Sequence, residues 1–313
     1  MHRTWIATLA FIAGTASAAD FPSRPLRIIV PNPPGGTVEL VARSIAPELE
    51  ALGQPVIVEP RPGGSSVIGL DVVARAPADG HTLVMATTAM VTVPLLLKPP
   101  FAGLEAFAPV AGVASTPNVF VVHPSVRART LKELVASSRL ESLNVAASPP
   151  GSSINLAAER FKLLSQADLN LVPYQGGVQA VQAALAGHTT VAFAPVSDAA
   201  PHLASGKLRA IAVSSLERHQ LIRDVPTIAE SGYPGFQALQ WFGVAAPAGT
   251  PRAVIEKLSA AILRALERPE VRARFAGLGI EPMPMGPDRF AEHLRSETRT
   301  FAEVIRAAAI HVE

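Results

Sequence analysis

Apolar residues along the chain change from one spacing to another, and proline or glycine marks each change. Leu26 to Pro31 is a short run rich in β-branched residues, which is typical of a buried strand. NPPGG follows, and in TVELVARSIAPELEALG the apolar residues return at helical spacing as far as Gly53. The pattern predicts a strand, a glycine-rich turn and a helix, in that order.

The same order recurs along the chain. The first stretch continues with the strand PVIVEP, the helix IGLDVVARA, the strand HTLVMAT and the polar segment TTAMVT. A second stretch begins at NVFVVHP and predicts the helices TLKELVASS, SSINLAAERFKLLSQ and VQAVQAALAG and the strands LNVAAS, LNLVPY, TTVAFA and LRAIAVSS. The strand in ALQWFGVAAPAGTP leads back to helices over 251–267, 269–277 and 287–308. Such alternation is typical of an α/β fold with a parallel sheet.

A chain of 313 residues is longer than one core usually organises. We therefore predict two α/β lobes around a ligand cleft, joined by two crossover strands. The first lobe is discontinuous, residues 20–122 and 239–313, and the second is residues 123–238. The C-terminal helices are expected to pack on the first lobe.

The N-terminal segment MHRTWIATLAFIAGTASAAD has a basic start, an apolar stretch and a small-residue site. It predicts a signal peptide over residues 1–19, cleaved near Ala18 or Ala19. Its apolar run is much shorter than the roughly 20 residues of a membrane span. Without cysteine the chain has neither a lipidation site nor disulfides, so each lobe must be stable through core burial. We predict a bacterial periplasmic protein.

Charge and motifs exclude several classes of function. The formal net charge is only +2 and the arginines are interspersed with acids, so we expect no nucleic-acid partner. The sequence has no GxSxG, Walker, HExxH or GxGxxG motif, and its eight histidines lack metal-ligand spacing. We expect no catalytic residues, no metal and no cofactor.

An internal repeat points to the binding chemistry. NPPGGTVELVA, residues 32–42, and SPPGSSINLAA, residues 148–158, share Pro-Pro-Gly, a hydroxyl residue at the helix start and the apolar spacing that follows. Prolines stiffen such a loop and glycines leave its backbone open to a ligand. Thr37 and Ser152 or Ser153 are suitable N-caps, and first-turn N–H groups attract anions. Two such loops facing each other predict a site for one small carboxylate.

Other residues at strand ends are secondary candidates for the cleft. Thr87 and Thr88 follow one predicted strand, and Tyr174 and Gln175 follow another. Trp241 and Phe242 on the returning strand are interpreted as core or hinge packing.

Six segments in order resemble a known family over essentially the whole mature chain. They are VPNPPGGT, RPGGSSVIGLDVVARAPADGHTL, VPYQGG, HLASGKLRAIAVSS, DVPTIAESGYPGF and WFGVAAPAGTP. The chain is similar to the Bug-type periplasmic receptors of tripartite tricarboxylate transporters. This resemblance implies a type II periplasmic binding protein fold, capture of small carboxylates by backbone groups and bridging waters, and closure of the cleft by hinge motion.

The resemblance also implies which residues bind. The loops Pro33–Thr37 and Ser148–Ser153 would clamp the carboxylate, with Tyr174 and Gln175 behind it. The chain departs from the family at Asn32, where relatives carry an aromatic residue, and at Ala194-Pro195, where they often carry Asp-Asn. The predicted ligand-binding residues are Asn32, Pro33, Pro34, Gly35, Gly36, Thr37, Thr87, Thr88, Ser148, Gly151, Ser152, Ser153, Tyr174, Gln175 and Ala194.

The predicted function is therefore a monomeric receptor that delivers a small carboxylate to integral-membrane transporter subunits. Two alternatives remain open from the sequence. A ligand sensor for a signalling partner would have the same features. A hydrolase using Ser152 or Ser153 would need a base, and no histidine or acid stands beside either serine in a recognisable motif.

Overall fold

The computed structural model describes residues 21–311, so the predicted signal peptide lies outside the described residues. The strands are β1 (Leu26–Val30), β2 (Val56–Pro60), β3 (Thr82–Thr87), β4 (Phe107–Val122), β5 (Leu143–Ala147), β6 (Leu169–Pro173), β7 (Val191–Pro195), β8 (Arg209–Val213), β9 (Leu239–Pro247) and β10 (Glu281–Met285). The helices are α1 (Thr37–Glu50), α2 (Val67–Ala74), α3 (Ala89–Leu96), α4 (Leu131–Leu140), α5 (Ser153–Ser165), α6 (Gly177–Leu185), α7 (Val196–Ala204), α8 (Arg252–Glu267), α9 (Pro269–Gly277) and α10 (Pro287–Ala307).

The strands form two groups that share one long strand. In the first group β1 pairs in parallel with β2 and β3, and β3 continues antiparallel to β9. In the second group β5 pairs in parallel with β6 and β7. The strand order is β2-β1-β3-β9-β4-β7-β5-β6, with β8 and β10 also paired to β4. Parallel pairing, as the pattern predicts, holds within β1–β3 and within β5–β7, whereas β4 and β9 run antiparallel to their neighbours.

β4 connects the two groups. Its residues from Phe107 to Pro117 pair with β9, and those from Asn118 to Val122 pair with β7. The hydrophobic pattern predicts a strand only from residue 118, because Pro109, Gly112 and Pro117 interrupt the earlier part. Register shifts beside Pro109 and Gly112 let the ladder continue through these residues. The predicted lobe boundaries stay a prediction.

Each strand group has a hydrophobic core of its own. In the first, α1 and α8 bury aliphatic side chains such as Ile45 and Leu258 against β1 and β9. In the second, Phe120, Phe161 and Phe193 form an aromatic core. The C-terminal helix α10 packs on β4 and also contacts α3 and α5, so it touches elements of both groups.

Three elements differ from the sequence-based expectation. Helix α3 lies in the segment read as polar, and α7 and β10 are absent from the predicted elements. All three contain proline, which in a sequence pattern indicates the end of a helix or strand. Among residues 21–311 we find no helix with the length and apolar character needed to cross a bilayer.

Candidate functional site

A cavity of about 410 Å³ lies where the two strand groups meet. Loops that follow β1, β3 and β5 line it, together with α3 and the beginning of β9. Its size suits a small organic ligand, and ligands of open α/β sheets bind beyond the carboxyl ends of the parallel strands.

The cavity brings together about half of the predicted ligand-binding residues. Those that line it are Asn32, Thr87, Thr88, Gly151, Ser152, Ser153 and Gln175. Those outside its lining are Pro33, Pro34, Gly35, Gly36, Thr37, Ser148, Tyr174 and Ala194. Ala194 is fully buried in β7, and Tyr174 packs against the apolar cluster to which Ala194 belongs. The assignment of these residues to a ligand stays a prediction.

The N-terminus of α5 is capped by neutral side chains. Ser152 is the N-cap, as predicted, and its Oγ accepts a hydrogen bond of 3.2 Å from the N–H of Asn155. The Asn155 Oδ1 in turn accepts from the N–H of Gly151 at 3.1 Å. The N–H groups of Ser153 and Ile154 donate to no acceptor among residues 21–311. This end of the helix therefore keeps free donors and no negative charge.

The N-terminus of α1 differs, which corrects the prediction that Thr37 is its cap. Gly36 is the N-cap, without a side-chain cap bond, and Thr37 is the first helical residue. The Gly35 N–H donates to Glu39 Oε2 at 2.7 Å, and Arg43 pairs with the other oxygen of Glu39 at 2.6 Å. The Gly35 N–H and the Arg43 guanidinium hold the pKa of Glu39 below its ordinary value. Helix α1 thus carries its own anion.

Glu39 and Asn155 occupy equivalent positions of the internal repeat, so the two loops differ by one charge. Helix α6 also has an acid beside its N-terminus. A methyl group placed on Gly177 would lie 2.3 Å from Asp198 Oδ2, so this carboxyl packs directly against the first residue of α6. Burial raises the pKa of Asp198.

Sequence reasoning misses a third loop at the cavity. Ser65 and Ser66 line it, and both have the left-handed backbone that non-glycine residues rarely adopt, with φ of 53° and 80°. Strained backbone of this kind is concentrated at functional sites. A sequence signal exists, because RPGGSS follows β2 and precedes α2 in the same strand, glycine, hydroxyl and helix order as the two repeated loops.

The opposite wall of the cavity is apolar. It consists of Val93, Leu96 and Leu97 from α3 and its C-terminus, and of Trp241 and Phe242 from β9. Trp241 also packs in the core, as the sequence predicts, edge-on to Phe290 at 5.7 Å between ring centroids. No sequence signal distinguishes the α3 residues from ordinary core positions.

Trp241 connects the cavity wall to a half-buried acid, Glu297. Its Nε1 donates to Glu297 Oε2 on α10 at 3.2 Å. Burial raises the pKa of Glu297, and the Trp241 hydrogen bond only partly offsets this effect. Within the described part of the chain there is no cluster of three His, Asp or Glu side chains suited to a metal ion.

The chain is similar to proteins of one family over nearly its whole length. The family profile described as "Tripartite tricarboxylate transporter family receptor" matches residues 41–310. Among curated proteins, BugT of Bordetella pertussis is 38% identical over 308 residues, covering 96% of this chain and 94% of BugT. A UPF0065 protein from the tcbD-tcbE intergenic region of Pseudomonas sp. strain P51 is also 38% identical, over 290 residues, covering 91% of this chain and 86% of that protein.

Solved structures agree with this similarity. R. palustris Rpa4515 with adipate superposes with a TM-score of 0.81 at 29% identity, covering 93% of this chain and 99% of that one. MatC from Rhodopseudomonas palustris with bound malate superposes with a TM-score of 0.77 at 32% identity, covering 91% of this chain and 100% of that one. The periplasmic binding protein BugD superposes with a TM-score of 0.78 at 28% identity, covering 94% of this chain and 100% of that one. The predicted periplasmic binding protein fold is thereby confirmed, and the chain belongs to the tripartite tricarboxylate transporter receptor family.

Proposed function

We propose that this protein is a receptor that binds a small carboxylate in the cavity between its two strand groups. The observation that carries the proposal is the N-terminus of α5. It offers the free N–H groups of Ser153, which lines the cavity, and of the next residue, Ile154, and the side chains of Ser152 and Asn155 that bond to this helix end are neutral. The relatives solved with adipate and with malate support the same ligand class.

The strength of such a site follows from its hydrogen bonds. Each bond from an N–H or hydroxyl group to a carboxylate contributes about 1.5 to 3 kcal/mol. Micromolar affinity corresponds to about 8 kcal/mol. The hydroxyl groups of Thr87, Thr88 and Ser152 and the two free N–H groups supply enough donors to reach it after the cost of association.

We propose a periplasmic location after loss of the leader, with residues 20–122 and 239–313 as one lobe and 123–238 as the other. β4 and β9 would be the hinge strands, and closure would bring the Pro33–Thr37 loop towards the ligand. We further propose that the receptor is a monomer that delivers its ligand to membrane subunits and performs no catalysis.

Isothermal titration of the mature protein tests the receptor function. We expect a carboxylate to bind at micromolar concentration while its primary amide, which has the same shape without the charge, binds at least tenfold more weakly. Absence of binding across mono-, di- and tricarboxylates up to millimolar concentration would count against the proposal.

A further inference from the structure

Charge at the cavity is distributed unevenly. No Asp, Glu, Lys or Arg is among the residues that line it within 21–311. Two helix N-termini nearby already have an acid of their own, Glu39 at α1 and Asp198 at α6. The α5 N-terminus has only the neutral Asn155. Of these three helix ends, the one at α5 is therefore the most suited to an anion, and no cationic side chain of the described residues lines the cavity to receive a second anion.

The wall formed by α3 is suited to a different kind of group. Val93 is buried, whereas Leu96 and Leu97, which also line the cavity, are half-exposed. Phe242 also lines this wall, although it is only 5% exposed and packs mainly in the core. Apolar side chains left accessible inside a concave site gain free energy when an apolar ligand group covers them.

We infer that the ligand has a single carboxylate and an apolar body, so that the carboxylate lies at the α5 N-terminus and the body lies on Leu96, Leu97 and Phe242. This inference rests on the proposed receptor function and specifies its ligand class. A short di- or tricarboxylate would bring a second charge towards leucine side chains, in a cavity whose lining within residues 21–311 has neutral donors but no cationic side chain to pair with that charge.

Ligand pairs of equal length test the inference directly. Hexanoate and adipate have the same six-carbon chain, and they differ in whether the far end is a methyl or a carboxylate group. We expect hexanoate to bind at least tenfold more tightly than adipate, and Kd to fall about fourfold for each methylene added from butanoate to hexanoate. Binding of the monocarboxylates should also show a negative heat-capacity change.

The outcomes separate the two proposals. If adipate binds as tightly as hexanoate or more tightly, the inference about ligand class is overturned and the receptor function stands. If neither series binds, the receptor function fails and the inference with it. Benzoate against terephthalate provides the same comparison for an aromatic body.

A variant of the wall gives a second measurement. Leu97→Gln should reduce the preference for hexanoate over adipate at least fivefold, whereas Leu97→Met should keep it. Leu164→Gln is the matched control, because Leu164 is 54% exposed on α5 and lies outside the cavity lining. If Leu97→Gln folds with an unchanged preference, α3 does not contact the ligand body and the inference is wrong.

Discussion

The one-charge difference between the repeated loops allows a direct test of where the ligand carboxylate lies. Asn155→Asp gives α5 the acid that Glu39 provides at α1. At α5, however, the residue one turn later is Glu159, whereas α1 has Arg43 there. The double variant Asn155→Asp/Glu159→Gln removes this new repulsion and keeps the wild-type net charge. It moves one negative charge by one helical turn towards the cavity.

The magnitude follows from the hydrogen-bond geometry. Asn155 Oδ1 lies 3.1 Å from the N–H of Gly151, and a ligand oxygen bonded to the Ser153 N–H would lie about 3 Å from that nitrogen. These bonds end on different nitrogens of the same helix end, and we take about 6 Å as the separation of the two carboxylates, at which they repel by about 3 kcal/mol at an effective dielectric constant of about 20. This repulsion corresponds to a loss of about 100-fold in affinity.

Titration calorimetry at low ionic strength measures this loss, and added salt should partly reverse it. Glu159→Gln alone should bind at least as well as wild type. Asn144→Asp, an exposed site at the start of β5, controls for an added charge elsewhere in the same lobe. Wild-type affinity in a folded double variant would refute the placement of the carboxylate at α5.

Two further predictions concern stability. Gly243→Ala should lower the free energy of unfolding by about 1 to 3 kcal/mol, because its new Cβ would overlap the Phe290 ring. Urea unfolding would show this, and Gly277→Ala, at the last residue of α9, should be near neutral because its Cβ meets nothing within 4 Å. Burial raises the pKa of Glu297, so the wild type loses stability as pH rises from its ordinary pKa of about 4.5 through the raised value. Glu297→Gln should therefore melt above wild type at pH 8 and lose that advantage near pH 4. The exposed Glu303→Gln should show no such trend, and an equal pH dependence in all three proteins would contradict the reasoning.

The strand, turn and helix units are predictable because proline and glycine mark their ends. The rule that proline ends an element fails in β4, because Pro109 and Pro117 lie inside this strand. Shifts in its register with β9 let the pairing continue. The rule fails again in β10, which keeps two prolines while pairing irregularly with β4. These exceptions depend on a partner strand far away in sequence, which local patterns do not contain.

The candidate site is predictable to a similar degree. The repeat locates the loop of Ser152 and Ser153, which lines the cavity, and its role in binding a carboxylate stays a prediction. It does not show that Glu39 already accepts from Gly35, because both an acid and an amide are ordinary residues in a first helical turn. The apolar wall is not predictable either, because nothing in the sequence distinguishes Leu96 and Leu97 from core leucines, and only the fold places them beside the cavity.

Trp241 has a further consequence for how the protein can be studied. Of the two tryptophans, Trp5 lies in the predicted leader, so a chain without residues 1–19 would keep Trp241 as its one indole. This indole lines the cavity and is hydrogen-bonded to Glu297. Its emission should report ligand arrival and the proposed lobe closure without an attached dye, and rapid mixing could then resolve the two events in time.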